Sequence, residues 1–99
     1  MTRYTTPTNT FDVNLDLTEA EVIYITYSQQ GQVVFEKTGS DVTVTPRQLE
    51  VTLTQEETGA LNVLYPVEIQ IRARFADGSA PASDVMTAPV KKVLKEGVI

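Results

Sequence analysis

The sequence predicts an all-β domain, and three observations support this prediction. Threonine, valine and isoleucine, which favour strands, are abundant among the 99 residues. No stretch keeps an amphipathic helical period beyond about two turns. Short alternating segments are separated by turn residues, as in sandwiches and barrels. A chain of this length forms one domain with one core, so we treat residues 1–99 as a single unit whose ends, 1–7 and 91–99, are flexible or docked at a sheet edge.

The first half of the chain contains four predicted strands. Apolar and polar side chains alternate over residues 8–17, which predicts a half-buried strand. Residues 21–28 form a dense run of β-forming residues that is typical of a central strand, and residues 32–38 return beside it. A further short strand is expected over residues 42–45, and Pro46 ends it.

The first hairpin allows its loop length to be argued. A loop over residues 29–31, with Gly31 in the left-handed conformation, places Ile25 opposite Phe35. A two-residue loop would instead place Ile25 opposite Glu36, so the apolar pattern favours the longer loop. The residues then expected on the core face are Ile23, Ile25, Tyr27, Val33 and Phe35.

The second half begins with a strand and a helical turn. Alternation over residues 49–53 predicts the strand. Thr54 and Glu57 have the spacing of a capping box, in which each residue caps the backbone of the other. We therefore expect one helical turn ending near Gly59, with a structural role.

The strongest alternation lies in residues 65–75, which we expect to form a hairpin across a turn at residues 76–78. The apolar pattern predicts the pairings 69 with 85, 71 with 83 and 73 with 81. Pro81 and Pro89 cannot donate ladder hydrogen bonds, so the last strand is expected to be an edge strand or to be broken.

This second hairpin resembles the last hairpin of fibronectin type III domains. Such hairpins have a Tyr, alternating apolar residues, a Gly turn, and then Ser and Pro. The corresponding residues here are Tyr65, Pro66, Val67, Ile69, Ile71, Ala73, Asp77, Gly78, Ser79, Pro81 and Ser83. The resemblance implies an immunoglobulin-like or fibronectin-type-III-like β-sandwich of about seven strands.

A second resemblance covers nearly the whole chain. It is carried by the segments Thr6-Pro7-Thr8, 23–29 (IYITYSQ), 53–58 (LTQEET), 68–72 (EIQIR), Ser83-Asp84 and 93–99 (VLKEGVI). These segments are similar to those of small, mostly uncharacterised proteins encoded in prophages of Gram-positive bacteria. The resemblance implies a phage-associated β-sandwich, such as a virion or tail accessory, and it transfers no catalytic residue.

Composition excludes several functions. The chain has no His, Cys or Trp by sequence, so it forms no disulfide, zinc finger or Ser–His–Asp triad. Its net charge of −5 makes it a poor partner for nucleic acid or an anionic membrane. The polar start and the absence of long apolar runs predict neither a signal peptide nor a membrane span. We expect a cytoplasmic product in the producing cell, with no cofactor and no metal.

The charge is unevenly distributed along the chain. Lys91, Lys92 and Lys95 against Glu96 give residues 89–99 a charge of +2, so residues 1–88 carry −7. The basic tail either solvates a chain end or forms a docking strip for an acidic partner. Three lysines are too few for a nucleic-acid patch.

Acidic and basic side chains form no convincing catalytic or ligand site. A small sandwich has little room for the cleft that paired catalytic carboxylates need, so we expect solvated acids and no enzyme. No calcium-loop spacing is present, and strand alternation places the arginines opposite the nearest aromatic side chain. The carboxylates considered for catalysis are Asp12, Asp16, Glu56 and Glu57. The residues considered for calcium binding are Asp77, Ser79 and Asp84, and those considered for binding single-stranded nucleic acid are Tyr65, Arg72, Arg74 and Phe75.

The most informative feature is the second face of the strand at residues 21–28. Val22, Tyr24 and Thr26 lie on this face, and we expect Val34 beside them across the hairpin. A solvent-facing strand is usually more polar. Either the N-terminal segment or the tail, including Leu94, Val98 and Ile99, covers the face, or the face is a protein interface.

These observations predict a non-enzymatic structural or protein-binding module that is associated with a phage particle. The module would dock through the face at Val22, Tyr24, Thr26 and Val34, or through an edge strand, on a protein partner or on a second copy. The alternative is a carbohydrate-binding module, for which exposed tyrosines would supply the contacts. The tyrosines considered are Tyr4, Tyr24 and Tyr65.

Overall fold

The computed structural model describes all 99 residues and contains seven strands in two antiparallel sheets. The elements are β1 (Thr8–Asp12), β2 (Val22–Gln29), β3 (Gln32–Thr38), β4 (Val42–Val44), β5 (Gln48–Thr52), α1 (Gln55–Gly59), β6 (Val67–Arg74) and β7 (Met86–Ala88). One 3₁₀ turn, Gly39–Asp41, connects β3 to β4. The prediction of a mostly β domain is confirmed.

The two sheets enclose one core. The three-stranded sheet has the order β1-β5-β4, and the four-stranded sheet has the order β3-β2-β6-β7. Alternating residues of both sheets point inward, and Ile25, Tyr27 and Leu49 are fully buried. The domain is elongated, with principal extents of 47 × 26 × 17 Å.

The first strand is half as long as predicted. β1 ends at Asp12, and the backbone N–H of Val13 donates one last bond to the carbonyl of Arg47 at 2.8 Å. β1 pairs only with β5, whose first residue is Gln48, so the chain beyond Val13 has no partner strand. Leu17 is nevertheless buried in the core, while Leu15 is 45% exposed.

The predicted three-residue loop of the first hairpin is wrong. Gln30 and Gly31, with φ of 51° and 77°, form a two-residue turn whose two left-handed residues match the twist of a hairpin. A β-bulge follows, because Ser28 pairs with Val33 whereas Tyr27 pairs with Phe35. Val34 is therefore an extra residue on β3.

The bulge changes which side chains of β3 face the core. Ile25 lies opposite Lys37, not Phe35. Phe35 still stacks on the Tyr27 ring at a centroid distance of 4.5 Å, but Val33 is 61% exposed and does not belong to the core face. An inserted residue reverses the alternation of a strand. Val33, on the far side of the bulge from Phe35, therefore faces solvent although it is predicted to face the core.

The second hairpin agrees with prediction near its turn. Gly78 adopts a φ of 89°, the N–H of Ser83 donates to the Ile71 carbonyl at 2.8 Å, and the N–H of Ala73 donates to the Pro81 carbonyl at 3.1 Å. Further along the strand the register shifts by one residue, so that Ile69 pairs with Met86 and not with position 85. β7 is a three-residue edge strand, as the prolines predict.

The predicted capping box of α1 is confirmed. The Thr54 hydroxyl accepts a bond from the Glu57 N–H at 3.1 Å, and the Glu57 carboxylate accepts one from the Thr54 N–H at 2.9 Å. The helix spans five residues, and no helix of this chain is both long and apolar enough to cross a membrane.

Both end segments lie beside α1. Thr2 and Lys91 form a parallel bridge, in which the Lys91 N–H donates to the Met1 carbonyl at 2.8 Å and the Arg3 N–H donates to the Lys91 carbonyl at 3.0 Å. The Arg3 guanidinium also contacts the Glu96 carboxylate at 2.8 Å. Both segments are thus paired with each other at one end of the sandwich.

Candidate functional site

The outer face of the four-stranded sheet carries three of the four predicted interface residues. Tyr24 lies between Arg72 of β6 and Thr38 of β3, and its side chain is 44% exposed. Val22 and Thr26, one position along the same face on either side, are half-buried. We call the surface formed by Val22, Tyr24, Thr26, Arg72 and Arg74 the Tyr24 face.

Polar neighbours surround the apolar atoms of the Tyr24 face. The Thr26 hydroxyl donates to the Glu36 carboxylate at 3.0 Å. Arg74 approaches Glu21 at 3.9 Å, whereas Arg72 has no ion-pair partner. Tyrosine and arginine are two of the residue types that are enriched in interface hot spots.

Val34 does not belong to this face. The bulge turns Val34 so that it packs, half-buried, against the hydrophobic core. The expectation that Val34 lies beside Tyr24 is therefore wrong, because strand alternation was continued through a position where the ladder has an extra residue.

The tail of the chain does not cover the Tyr24 face. Leu94 and Ile99 are 94% and 91% exposed, so neither side chain packs against the sheet. The backbone N–H of Ile99 instead donates to the Gln55 side chain of α1 at 3.0 Å. This overturns the alternative in which the tail shields the face.

A groove opens between the two sheets on the side where β1 and β7 are the edge strands. It encloses about 150 Å³ and is lined mainly by apolar side chains. We call it the open-edge groove, and its principal lining residues are Phe11, Leu15, Ile71, Pro81, Ala82 and Met86. The alternation of residues 13–17 supplies Val13, Leu15 and Leu17 to its lining, although the same alternation predicts a continuing strand.

A buried polar cluster lies near α1 and was not predicted. The Lys37 ammonium donates to both Glu57 carboxylate oxygens at 2.9 and 3.0 Å. The Tyr27 hydroxyl donates to Asn9 at 2.7 Å, and burial, together with the Glu57 charge, raises the Tyr27 pKa. All these groups have partners inside the fold, so the cluster joins β3 to α1 and leaves no free acid or base.

The remaining acidic candidates are solvated or engaged in turns. Hydrogen bonds from the Thr18 hydroxyl and N–H hold the Asp16 pKa below its usual value. The Asp77 carboxylate accepts bonds from the Ser79 hydroxyl at 2.7 Å and N–H at 2.9 Å, which lower the Asp77 pKa likewise. No group of three or more acidic, His or Cys residues is placed to hold a metal ion.

The aromatic candidates are dispersed over the molecule. Tyr4 lies half-buried against Gly59 of α1, whereas Tyr24 lies on β2. Tyr65 is also half-buried, and Phe75 packs against the core while Arg72 is exposed on the outer face. The structure therefore does not bring the predicted tyrosines together.

The geometry defines an antiparallel two-sheet protein with two accessible surfaces, the Tyr24 face and the open-edge groove. No protein-family model matches the chain, and no curated protein or solved structure is significantly similar to it. The functional argument therefore depends on these two surfaces.

Proposed function

We propose that this protein is a non-enzymatic structural or protein-binding module of a phage particle, and that it docks through the Tyr24 face. The observation that carries the proposal is the exposed Tyr24 side chain beside the unpaired Arg72 on an uncovered sheet. Tyrosine and arginine are enriched in interface hot spots because they bury a large area and still satisfy polar groups. The phage association depends on the sequence resemblance described above.

The strand order supports an immunoglobulin-like fold as part of this proposal. In immunoglobulin domains one sheet contains strands B, E and D, and the other contains C′, C, F and G. The orders β1-β5-β4 and β3-β2-β6-β7 match these two series, with no counterpart of strand A. Because a fold of this kind does not by itself define a function, the docking argument depends on the exposed Tyr24 face.

The edge strands offer a second docking mode. β3 is the longest edge strand of the molecule, with seven residues, and it pairs on one side only, with β2. Its bulge at Val34 interrupts the regular row of backbone groups, a device that discourages unspecific strand addition. This favours the Tyr24 face over β3 as the docking surface.

Sedimentation velocity over a series of protein concentrations tests the proposal for self-association. We expect Tyr24→Glu to weaken association by about tenfold or more, because it places a charge in the contact. Thr43→Glu, an exposed position in β4 of the other sheet, is the matched control and should associate like the wild type. Equal behaviour of the two variants would contradict docking through the Tyr24 face.

A glycan array separates this function from the carbohydrate-binding alternative. We expect no sugar to be retained, since Tyr4 and Tyr65 lie away from Tyr24 and are half-buried. If the wild type binds a sugar and Tyr24→Ala does not, the Tyr24 face is a carbohydrate-binding site and the alternative function is favoured.

A further inference from the structure

We infer that copies of this protein join head to tail, with the segment around Leu94 of one copy inserted into the open-edge groove of the next. This inference depends on the proposed structural role and adds a second contact to it. Neither the groove nor the tail includes a residue of the Tyr24 face, although Ala82 of the groove pairs with Arg72 of that face.

The groove has the size and character of a receptor for one aliphatic side chain. Its volume of about 150 Å³ is similar to that of apolar protein cavities that admit a benzene-sized ligand. Phe11 and Ile71 form its buried walls, while Leu15 remains 45% exposed at the opening. Apolar surface of this kind is stabilised when a partner covers it.

The opening of the groove is acidic. Asp12 lines it directly, and Asp84 lies in the adjoining hollow that Asp12 also lines. Asp12 accepts a hydrogen bond from Gln48 at 3.0 Å, but neither carboxylate has an ion-pair partner. The site therefore favours an apolar side chain that is flanked by positive charges.

The tail of the same chain has this chemistry. Leu94 is the most exposed large apolar side chain of the molecule, at 94%, and it lies between Lys92 and Lys95. Neither lysine forms an ion pair. The Lys91 bridge to Thr2 on one side and the Arg3–Glu96 ion pair on the other hold the segment in place, so Leu94 is presented from an anchored loop.

The tail does not fill the groove of its own copy, because Leu94 is 94% exposed. The tail begins at Lys91, which pairs with Thr2, whereas the groove is lined by Phe11 and Asp12 of β1 and by the chain beyond them. A contact between two different surfaces repeats from copy to copy, until a ring closes or a filament grows.

Sedimentation velocity of the full chain over increasing concentrations at low salt provides the first test. We expect oligomers for the wild type, and association weakened by about tenfold or more in Leu94→Asp and in Ala82→Trp, which fills the groove. Leu64→Asp alters another leucine that is 76% exposed and serves as the matched control. Added salt should weaken association because the flanking charges are exposed.

Mixing the two defective variants is the decisive measurement. Both variants are made in a Tyr24→Glu background, which removes association through the Tyr24 face. Leu94→Asp keeps an intact groove and Ala82→Trp keeps an intact tail, so a mixture should form dimers and nothing larger. Should Ala82→Trp fail to fold, as judged by circular dichroism, Asp84→Lys replaces it, and Lys95→Glu in the partner should restore binding to Asp84→Lys.

Several outcomes would overturn the head-to-tail contact. They are a wild type that stays monomeric at every concentration, equal association of Leu94→Asp and Leu64→Asp, and a mixture without dimers. Tyr24→Glu should leave the mixed dimer intact. If Tyr24→Glu alone abolishes all association, the head-to-tail inference falls and the proposed function stands.

Discussion

The ammonium group of Lys37 lies within 3.0 Å of both carboxylate oxygens of Glu57. This contact links β3, an edge strand of the four-stranded sheet, to α1, which follows β5 of the three-stranded sheet. Only about a tenth of the Lys37 side chain and a fifth of the Glu57 side chain are exposed, at 10% and 21%. Glu57 also accepts the capping bond from Thr54. One carboxylate therefore caps the first turn of α1 and neutralises a buried lysine.

Removing one charge of this pair should be costly. We expect Glu57→Gln to reduce the free energy of unfolding by about 3 kcal/mol, because Lys37 then remains buried without a counter-charge. The double variant Lys37→Met/Glu57→Gln should recover part of this loss, since no isolated charge remains. Urea denaturation of the wild type, both single variants and the double variant measures the coupling. Additive losses would show that the two residues do not interact.

Stability should fall at alkaline pH because of Tyr27. Burial and the Glu57 charge raise the pKa of Tyr27 above its ordinary value of 10.0. The folded state thus holds this proton more tightly than the unfolded chain, so its contribution is complete below pH 10.0 and is lost as the pH rises further. Urea unfolding from about pH 8 to about pH 11 should show this loss in the wild type.

Two phenylalanine variants test whether the loss of stability at alkaline pH is due to Tyr27. Tyr27→Phe should flatten the alkaline part of the stability curve, and at neutral pH it should cost about 1 kcal/mol, because Asn9 loses its donor. Tyr24→Phe, at an exposed position, should keep the wild-type curve. An unchanged alkaline slope in Tyr27→Phe would assign the effect to another group.

Gly59 provides room for the Tyr4 ring. A Cβ atom at position 59 would lie 2.5 and 2.7 Å from two carbons of that ring. Gly59→Ala should therefore displace Tyr4 and destabilise the fold by about 1–2 kcal/mol. Hydrogen exchange at the Thr5 N–H, which donates to the Thr58 hydroxyl at 3.0 Å, should accelerate.

Gly39→Ala is the matched control for this substitution. Its Cβ would lie 3.8 Å from the nearest atom, Ile23 Cβ, which is ordinary packing distance. We expect its unfolding and its Thr5 exchange to resemble those of the wild type. Equal effects of the two substitutions would indicate that crowding at Tyr4 is not the cause.

The bulge at Val34 predicts an asymmetric response to deletion. Removing Val34 leaves Ser28 opposite Val33 and Tyr27 opposite Phe35, so the protein should still fold, with a loss of about 1–2 kcal/mol for the missing core contacts. Removing Glu36 should be far more disruptive, because Lys37 would move to the position where it faces away from Glu57. Thermal unfolding followed by circular dichroism compares the two deletions.

Sequence patterns predict an element correctly where all the residues that determine it lie within that element. The alternation of residues 67–74 predicts β6, and the Thr54–Glu57 spacing predicts α1, because each signal lies within the element that it specifies. The end of β1 is different. Residues 13–17 alternate as a strand does, but they can pair only if β5 extends far enough to lie beside them. The position where β5 begins cannot be predicted from the alternation of residues 13–17.

The same limit applies to the docking surfaces. The alternation of β2 placed Val22, Tyr24 and Thr26 on one face, and the structure has them there. The prediction for Val34 is wrong because a three-residue loop and a two-residue turn followed by a bulge both place Tyr27 and Phe35 on the same face. Only the turn conformation at Gln30 distinguishes the two arrangements. A lysine at position 37 on an otherwise apolar face was the one available sign of a buried partner.

The parallel bridge between Thr2 and Lys91 gives the domain a mechanical property. Tension between the two ends of the chain would pull these segments in opposite directions along their length. Their two backbone hydrogen bonds would then be loaded together in shear, and neither could be peeled away before the other. In a chain of subunits held through Leu94, a load on the contact would reach this clamp directly, before any strand of either sheet was strained.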